Sequence, residues 1–162
     1  MRGFTLIEIL IVMALMGILA GISTANFRAA LLMVKVQATA SDMGVVQNAV
    51  KSVSADCGTL PRWNATTDPG FMSQPAWATG GCWKGPYLNY WLMSTPLGGN
   101  FRYVGTAGNA PIVRVAGIDQ ASARLLAVKI QSQFGATSLG SVSKSGSTWS
   151  VDLTVRDAVN VK

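Results

Sequence analysis

Histidine is absent from the 162 residues, and cysteine occurs only twice, at Cys57 and Cys82. Without an imidazole there is no Ser/His or Cys/His nucleophile, and two thiolates alone cannot complete the usual zinc sets. Acids are scarce too. Glu8, Asp42, Asp56, Asp68, Asp119, Asp152 and Asp157 are dispersed, with no pair at a spacing suited to general acid and base work. No cofactor-binding glycine motif, internal repeat or low-complexity segment occurs. The composition therefore argues against an enzyme, and no metal or cofactor is expected. Charged residues make up 12% of the chain and apolar ones 49%, against roughly 25% charged in ordinary soluble domains, so part of the chain is expected in lipid or against other subunits.

The charge that is present sums to +6, but the basic residues are scattered. No polybasic anchor or nucleic-acid stripe forms, so the charge reads as solubility and no specific nucleic-acid binding is expected. The apolar excess lies at the N-terminus. Between residues 4 and 27 the strongly polar side chains are Thr5, Glu8, Ser23, Thr24 and Asn26. About 20 such residues suffice for a helix to span a bilayer core. A secretory signal peptide, with Arg2 as its charged region and Ser23-Thr24-Ala25 for cleavage, is one reading, although the apolar run exceeds the usual 7 to 15 residues. A plain membrane anchor is another. Glu8 stands against that one, because a carboxylate in hydrocarbon costs on the order of 2.5 to 3.5 kcal/mol and usually has a partner.

From Arg28 to about Ala55 the pattern becomes one-sided. Leu32, Val36, Thr39, Met43, Val46, Val50 and Val53 recur at steps of three and four, with Lys35, Gln37, Ser41, Asp42, Gln47 and Lys51 between them. This predicts an amphipathic helix ending at Asp56-Cys57-Gly58. Residues 57 to 99 are dense in turn formers and hold Trp63, Phe71, Trp77, Trp83, Tyr87, Tyr90 and Trp91, read as packing that orders a long loop rather than as an adhesive surface. Strands are predicted at residues 101 to 104, 112 to 116, 138 to 144 and 148 to 155, the last two forming a hairpin that turns at Ser145-Gly146. In the last strand Trp149, Val151, Leu153 and Val155 alternate with Ser150, Asp152, Thr154 and Arg156, implying one covered face. Asp119 is expected to cap a helix over residues 120 to 133 that Gly135 ends.

Gly3 followed by Phe4-Thr5-Leu6-Ile7-Glu8 and an unbroken apolar run resembles the class III signal of type IV pilins and of the related pseudopilins of type II secretion. The resemblance implies that a prepilin peptidase/methyltransferase cuts after Gly3 and methylates the new N-terminal Phe4. It makes Glu8 an assembly residue, whose carboxylate neutralises the N-terminal ammonium of a neighbouring subunit in the filament core. It also implies an α+β type IV pilin fold, a long N-terminal helix packed on a small antiparallel sheet. The corresponding divisions are a leader at residues 1–3, a membrane and filament-core helix at 4–27, an amphipathic half at 28–56 and a globular domain at 57–162. Many members have a proline where this chain has Ala25. The stretch Lys84-Gly85-Pro86-Tyr87-Leu88 is similar to one in major pseudopilins, whose calcium site uses acids nearby. This chain has no acid between Asp68 and Asp119, so no calcium is expected.

The function so implied is a structural pilin. It starts as an inner-membrane precursor, engages an assembly platform there, and polymerises with other pilin subunits into an extracellular pilus. The alternatives are a pseudopilin of a periplasmic type II secretion pseudopilus, and a membrane-tethered binding module. With its domain outside the cytoplasm and an even cysteine count, Cys57 and Cys82 are expected to form a disulfide.

Overall fold

The computed structural model describes residues 5–60, 64–65, 67–105 and 109–155. The chain divides into two compact units, Met1–Val34 and Lys35–Lys162. Helix α1, Leu6–Cys57, runs unbroken through Gly17, Gly21 and Ala25 and ends where Gly58 adopts a positive φ. Glycine carries no penalty there, so the chain can leave the helix.

Within Lys35–Lys162 the predicted stripe of α1 is the buried one. Val36, Thr39, Met43, Val46, Val50 and Val53 are buried, joined by Ala40 and Ala49. Gln47, assigned to the polar face by its spacing, is buried as well. The cover comes from a five-stranded antiparallel sheet of β1 (Asn64–Ala65), β2 (Asn100–Val104), β3 (Ile112–Ile118), β4 (Leu139–Ser145) and β5 (Thr148–Thr154), in the order β1-β2-β3-β5-β4. Helix α2, Gln120–Phe134, lies along β5 and β4. This is the α+β arrangement, a long N-terminal helix on a small antiparallel sheet, that the resemblance implies.

The sheet follows from its alternation. Phe101, Tyr103, Val113, Val115, Val151 and Leu153 are buried, and the register pairs Val113 with Leu153 and Val115 with Val151 on one face. Strand β3 runs past the expected end at Ala116 to Ile118, across a bulge where Gly117 takes φ 86°. The β4–β5 hairpin turns at Gly146-Ser147, with Gly146 at φ 61°. Asp152 departs from the expected pattern: on the face predicted to be open, it is 2% exposed. Arg114, its register partner, donates from Nε at 2.7 Å and from an Nη at 2.8 Å, and the Ser141 hydroxyl donates at 2.7 Å. The carboxylate thereby ties β3, β5 and β4 together.

Asp119 caps α2 by accepting from the Ser122 amide at 3.0 Å and its hydroxyl at 2.6 Å, and the Gly135 amide closes the other end on the Gln131 carbonyl. In the long loop Asp68 accepts from the amides of Gly70, Phe71 and Met72. That turn sends Phe71 inward, where it is fully buried and meets Tyr103 edge-on at 5.5 Å and Trp91 at 6.2 Å. The loop is thus ordered by internal packing. Among the described aromatics of the loop Tyr90, 66% exposed, is the exception, and Trp63 lies outside the described residues.

Candidate functional site

The start of α1 gives Glu8 a partner in its own chain. Its carboxylate accepts from the Thr5 amide at 3.1 Å and the Thr5 hydroxyl at 3.0 Å, while the Glu8 amide reaches back to Thr5 Oγ1 at 3.4 Å. This reciprocal pattern is a capping box, in which side chains satisfy amides that have no intrahelical acceptor. A carboxylate there also faces the positive end of the helix dipole. Thr5 is the residue that reading Glu8 through the resemblance passes over, although the Thr-x-x-Glu spacing was present to reveal it. Gly3 and Phe4, the expected cleavage and methylation positions, lie outside the described residues.

Beyond the cap, every large apolar side chain from Leu6 through Leu19 is exposed, on all sides of the helix. A polar rim is missing, so water is a poor surrounding for this segment and lipid or other apolar helices are suitable ones. Judged by length and apolarity, Phe27–Cys57 also passes as a membrane span, with a mean hydropathy of 1.3, and Leu6–Gly21 is a shorter apolar helix. The physical argument favours Leu6–Gly21. It carries no charge after Glu8, whereas Phe27–Cys57 contains Arg28, Lys35, Asp42, Lys51 and Asp56 and buries its stripe from Val36 onward.

At the other end of α1, Cys57 and Cys82 are joined as a disulfide with Cα atoms 4.8 Å apart. Next to it Asp56 accepts a hydrogen bond from the Tyr87 hydroxyl at 2.8 Å and pairs with Lys84 Nζ at 3.2 Å. The Tyr87 hydroxyl also accepts from the Lys84 amide at 3.0 Å. The Tyr87 hydrogen bond, then Lys84, holds the Asp56 carboxyl below its usual range. Desolvation, reinforced by Asp56, pushes the Tyr87 hydroxyl up. The Lys84-Gly85-Pro86-Tyr87-Leu88 stretch is therefore a clasp on the end of α1. Gly85 is required in it because a Cβ would run into the rings of Trp83 and Tyr87, which stack edge-on at 5.8 Å.

Among the described residues no three acids or thiols converge on a point that would hold a metal ion. Chemically, the molecule offers surfaces: an uncovered apolar segment headed by a capping carboxylate in the first unit, and in the second a loop clasped to the last turn of α1.

Comparison with known protein families finds a match to the prokaryotic N-terminal methylation motif over residues 1–24. No curated protein and no solved structure matches the chain.

Proposed function

We propose, from a chain that carries the class III prepilin signal on a type IV pilin-like α+β fold, that it is a structural subunit which polymerises into a type IV pilus. Chains of this signal and fold are typically structural rather than catalytic. The observation that carries the reading is the methylation motif on a helix whose apolar side chains are uncovered on all sides. The signal and helix fit a membrane-anchored precursor. In this reading a prepilin peptidase cleaves after Gly3, Phe4 becomes the methylated N-terminus, and an inner-membrane assembly platform transfers the apolar helix from lipid into a filament core. Glu8 supplies the counter-charge to a neighbour's N-terminal ammonium, since two desolvated charges cost less as a pair than apart. Assembly then delivers the subunit to the cell surface.

A second reading is a pseudopilin of type II secretion, favoured by the likeness of Gly85-Pro86-Tyr87-Leu88 to a stretch of major pseudopilins and disfavoured by the missing acids between Asp68 and Asp119 and by the cysteine pair. Electron microscopy of sheared surface material, with mass spectrometry of its main component, tests the choice. Filaments built of this chain support the pilus. Their absence from the surface, with processed chain retained in the cell envelope, supports the pseudopilus. A mature chain beginning at Asn26 would show signal-peptidase processing and sink both.

Processing has its own test. Gly3→Phe should leave full-length protein in the membrane, because glycine lets the backbone approach the peptidase closely. Normal processing of that variant would remove Gly3 from the cleavage site.

A further inference from the structure

In the unit Lys35–Lys162, Asp42 and Val45 of α1 face Tyr87, Leu88, Asn89, Tyr90 and Leu92 across an open cleft of about 280 Å³. Asp42 is half-buried at its edge, and burial pushes its carboxyl above the usual range. Desolvation is the whole cause of that shift, and no charge or hydrogen bond contributes to it. Tyr90 is 66% exposed beside Asp42 and Val45 50%. The cleft thus sets a carboxylate among aromatic and aliphatic surfaces and the Asn89 amide, and none of the described residues closes its mouth. Its volume lies just under the roughly 300 to 1,000 Å³ of small-molecule sites, which suits a single inserted side chain better than a free ligand.

A cation on an apolar stem fits that chemistry. Arginine fits better than lysine, because a planar guanidinium forks onto a carboxylate while stacking on tyrosine faces. The chain, at net charge +6, can supply it from another copy. Of the described arginines, Arg114 is committed to Asp152, Arg28 belongs to the Met1–Val34 unit and Arg102 is half-buried on β2. Arg124 is exposed on α2, and Val128, one turn further on the same face, is 64% exposed. An exposed cation next to an exposed aliphatic residue complements an anion set next to Val45 and Tyr90.

We propose that the Asp42 cleft receives the Arg124 guanidinium of a second copy of this chain, with Val128 against Val45 and Tyr90. A copy that receives one neighbour's Arg124 still carries its own, which can enter the cleft of a third copy, and such a head-to-tail contact extends as an open assembly wherever its rotation does not close on itself. The inference rests on the polymerisation reading and adds to it which surfaces of the folded unit meet.

Its test uses the full-length chain expressed together with its assembly machinery. Asp42→Arg and Arg124→Asp are made singly and together, and filament mass is read after shearing. Each single reversal should lower filament yield at least tenfold with the membrane pool of processed chain unchanged, and the pair should return it to within about threefold of the original. In parallel, a photo-crosslinking amino acid at Val45 in the otherwise unchanged chain should give a dimer whose linked peptide contains Arg124 and Val128. A double variant no better than the singles, or a crosslink to any other segment or protein, in cells where the unaltered chain makes filaments, overturns the cleft assignment alone. Absence of both filaments and crosslinked dimer from the unaltered chain overturns polymerisation and the cleft with it.

Discussion

Glu8 has two possible duties at one atom group. Within the chain its carboxylate caps the first turn through Thr5, and in a filament it would meet a neighbour's ammonium. The two can be separated by substitution. Glu8→Gln keeps an acceptor for the capping box but loses the charge, whereas Glu8→Val loses both. Glu8→Val should enter the membrane at least as well as the original, since the insertion cost of a carboxylate, on the order of 2.5 to 3.5 kcal/mol, disappears. Both variants should assemble poorly. Filament yield from Glu8→Gln equal to that of the unaltered chain, measured after shearing, would mean that the cap is sufficient and the charge pair is not used. At the same scale the half-buried Arg114 and the buried Asp152 form a pair that fails asymmetrically. Arg114→Met leaves a 2%-exposed carboxylate with only the Ser141 hydroxyl, so a loss of about 3 to 5 kcal/mol is expected in urea unfolding. Arg114→Met with Asp152→Leu should recover much of it, because the stranded charge is gone.

The element that most depends on a covalent tie is the loop between α1 and β2. Its 25-residue separation between Cys57 and Cys82 corresponds to about 3 to 4 kcal/mol in the chain-entropy account of a crosslink. The Asp56, Lys84 and Tyr87 clasp holds the same place without covalent help. Cys57→Ser should therefore loosen residues 58 to 99 into a protease-sensitive segment while α1, the β4–β5 hairpin and membrane insertion persist, as limited proteolysis with mass mapping would detect. Adding Tyr87→Phe should increase the cleavage rate further, since the remaining anchor of the loop on α1 loses its hydroxyl. Equal cleavage of the single and double variants would show that the clasp contributes nothing once the disulfide is gone.

At the scale of the whole molecule, Asp42 is shifted in the opposite direction to Asp56 and Asp119. Asp56 and Asp119 have carboxyls held below the usual range, the first by the Tyr87 and Lys84 contacts and the second by Ser122. Such groups contribute stability that is complete above the unfolded-state pKa and is lost as pH falls through the lower folded-state value. Asp42 is shifted the other way by burial, so its ionised form weakens the isolated fold at neutral pH. Two outcomes follow for urea unfolding of the full chain in detergent. Asp119→Asn should show a smaller fall in midpoint between pH 7 and pH 3 than the unaltered chain. Asp42→Asn should have a raised midpoint at pH 7, even though filament yield drops. A lowered midpoint for Asp42→Asn would mean that the carboxylate has a stabilising partner in the free subunit. A residue that weakens the subunit but serves the assembly is the pattern expected of an interface, where the compensating charge comes from another copy.

What the sequence determined by itself was local and periodic. The apolar run, the stripe from Val36 to Val53, the Asp119 cap, the Gly58 and Gly135 stops and the β4–β5 alternation are read from neighbours three, four or two residues apart, and backbone geometry ties those spacings to faces and ends. Thr5 with Glu8 belongs to the same class, because a capping box spans one turn. The tertiary structure decided whatever depends on residues distant in sequence. Asp152 is buried only because Arg114, 38 positions earlier, arrives as its register partner. Tyr87 reaches Asp56 across 31 positions, and Asp42 becomes a half-buried carboxylate only once the loop brings Tyr87 and Tyr90 to the other side of its cleft. A charge alternating along a helix face looks solvated in sequence. Whether it is solvated, paired or left waiting for another molecule is set by desolvation and distance, and those quantities exist only once the chain has folded.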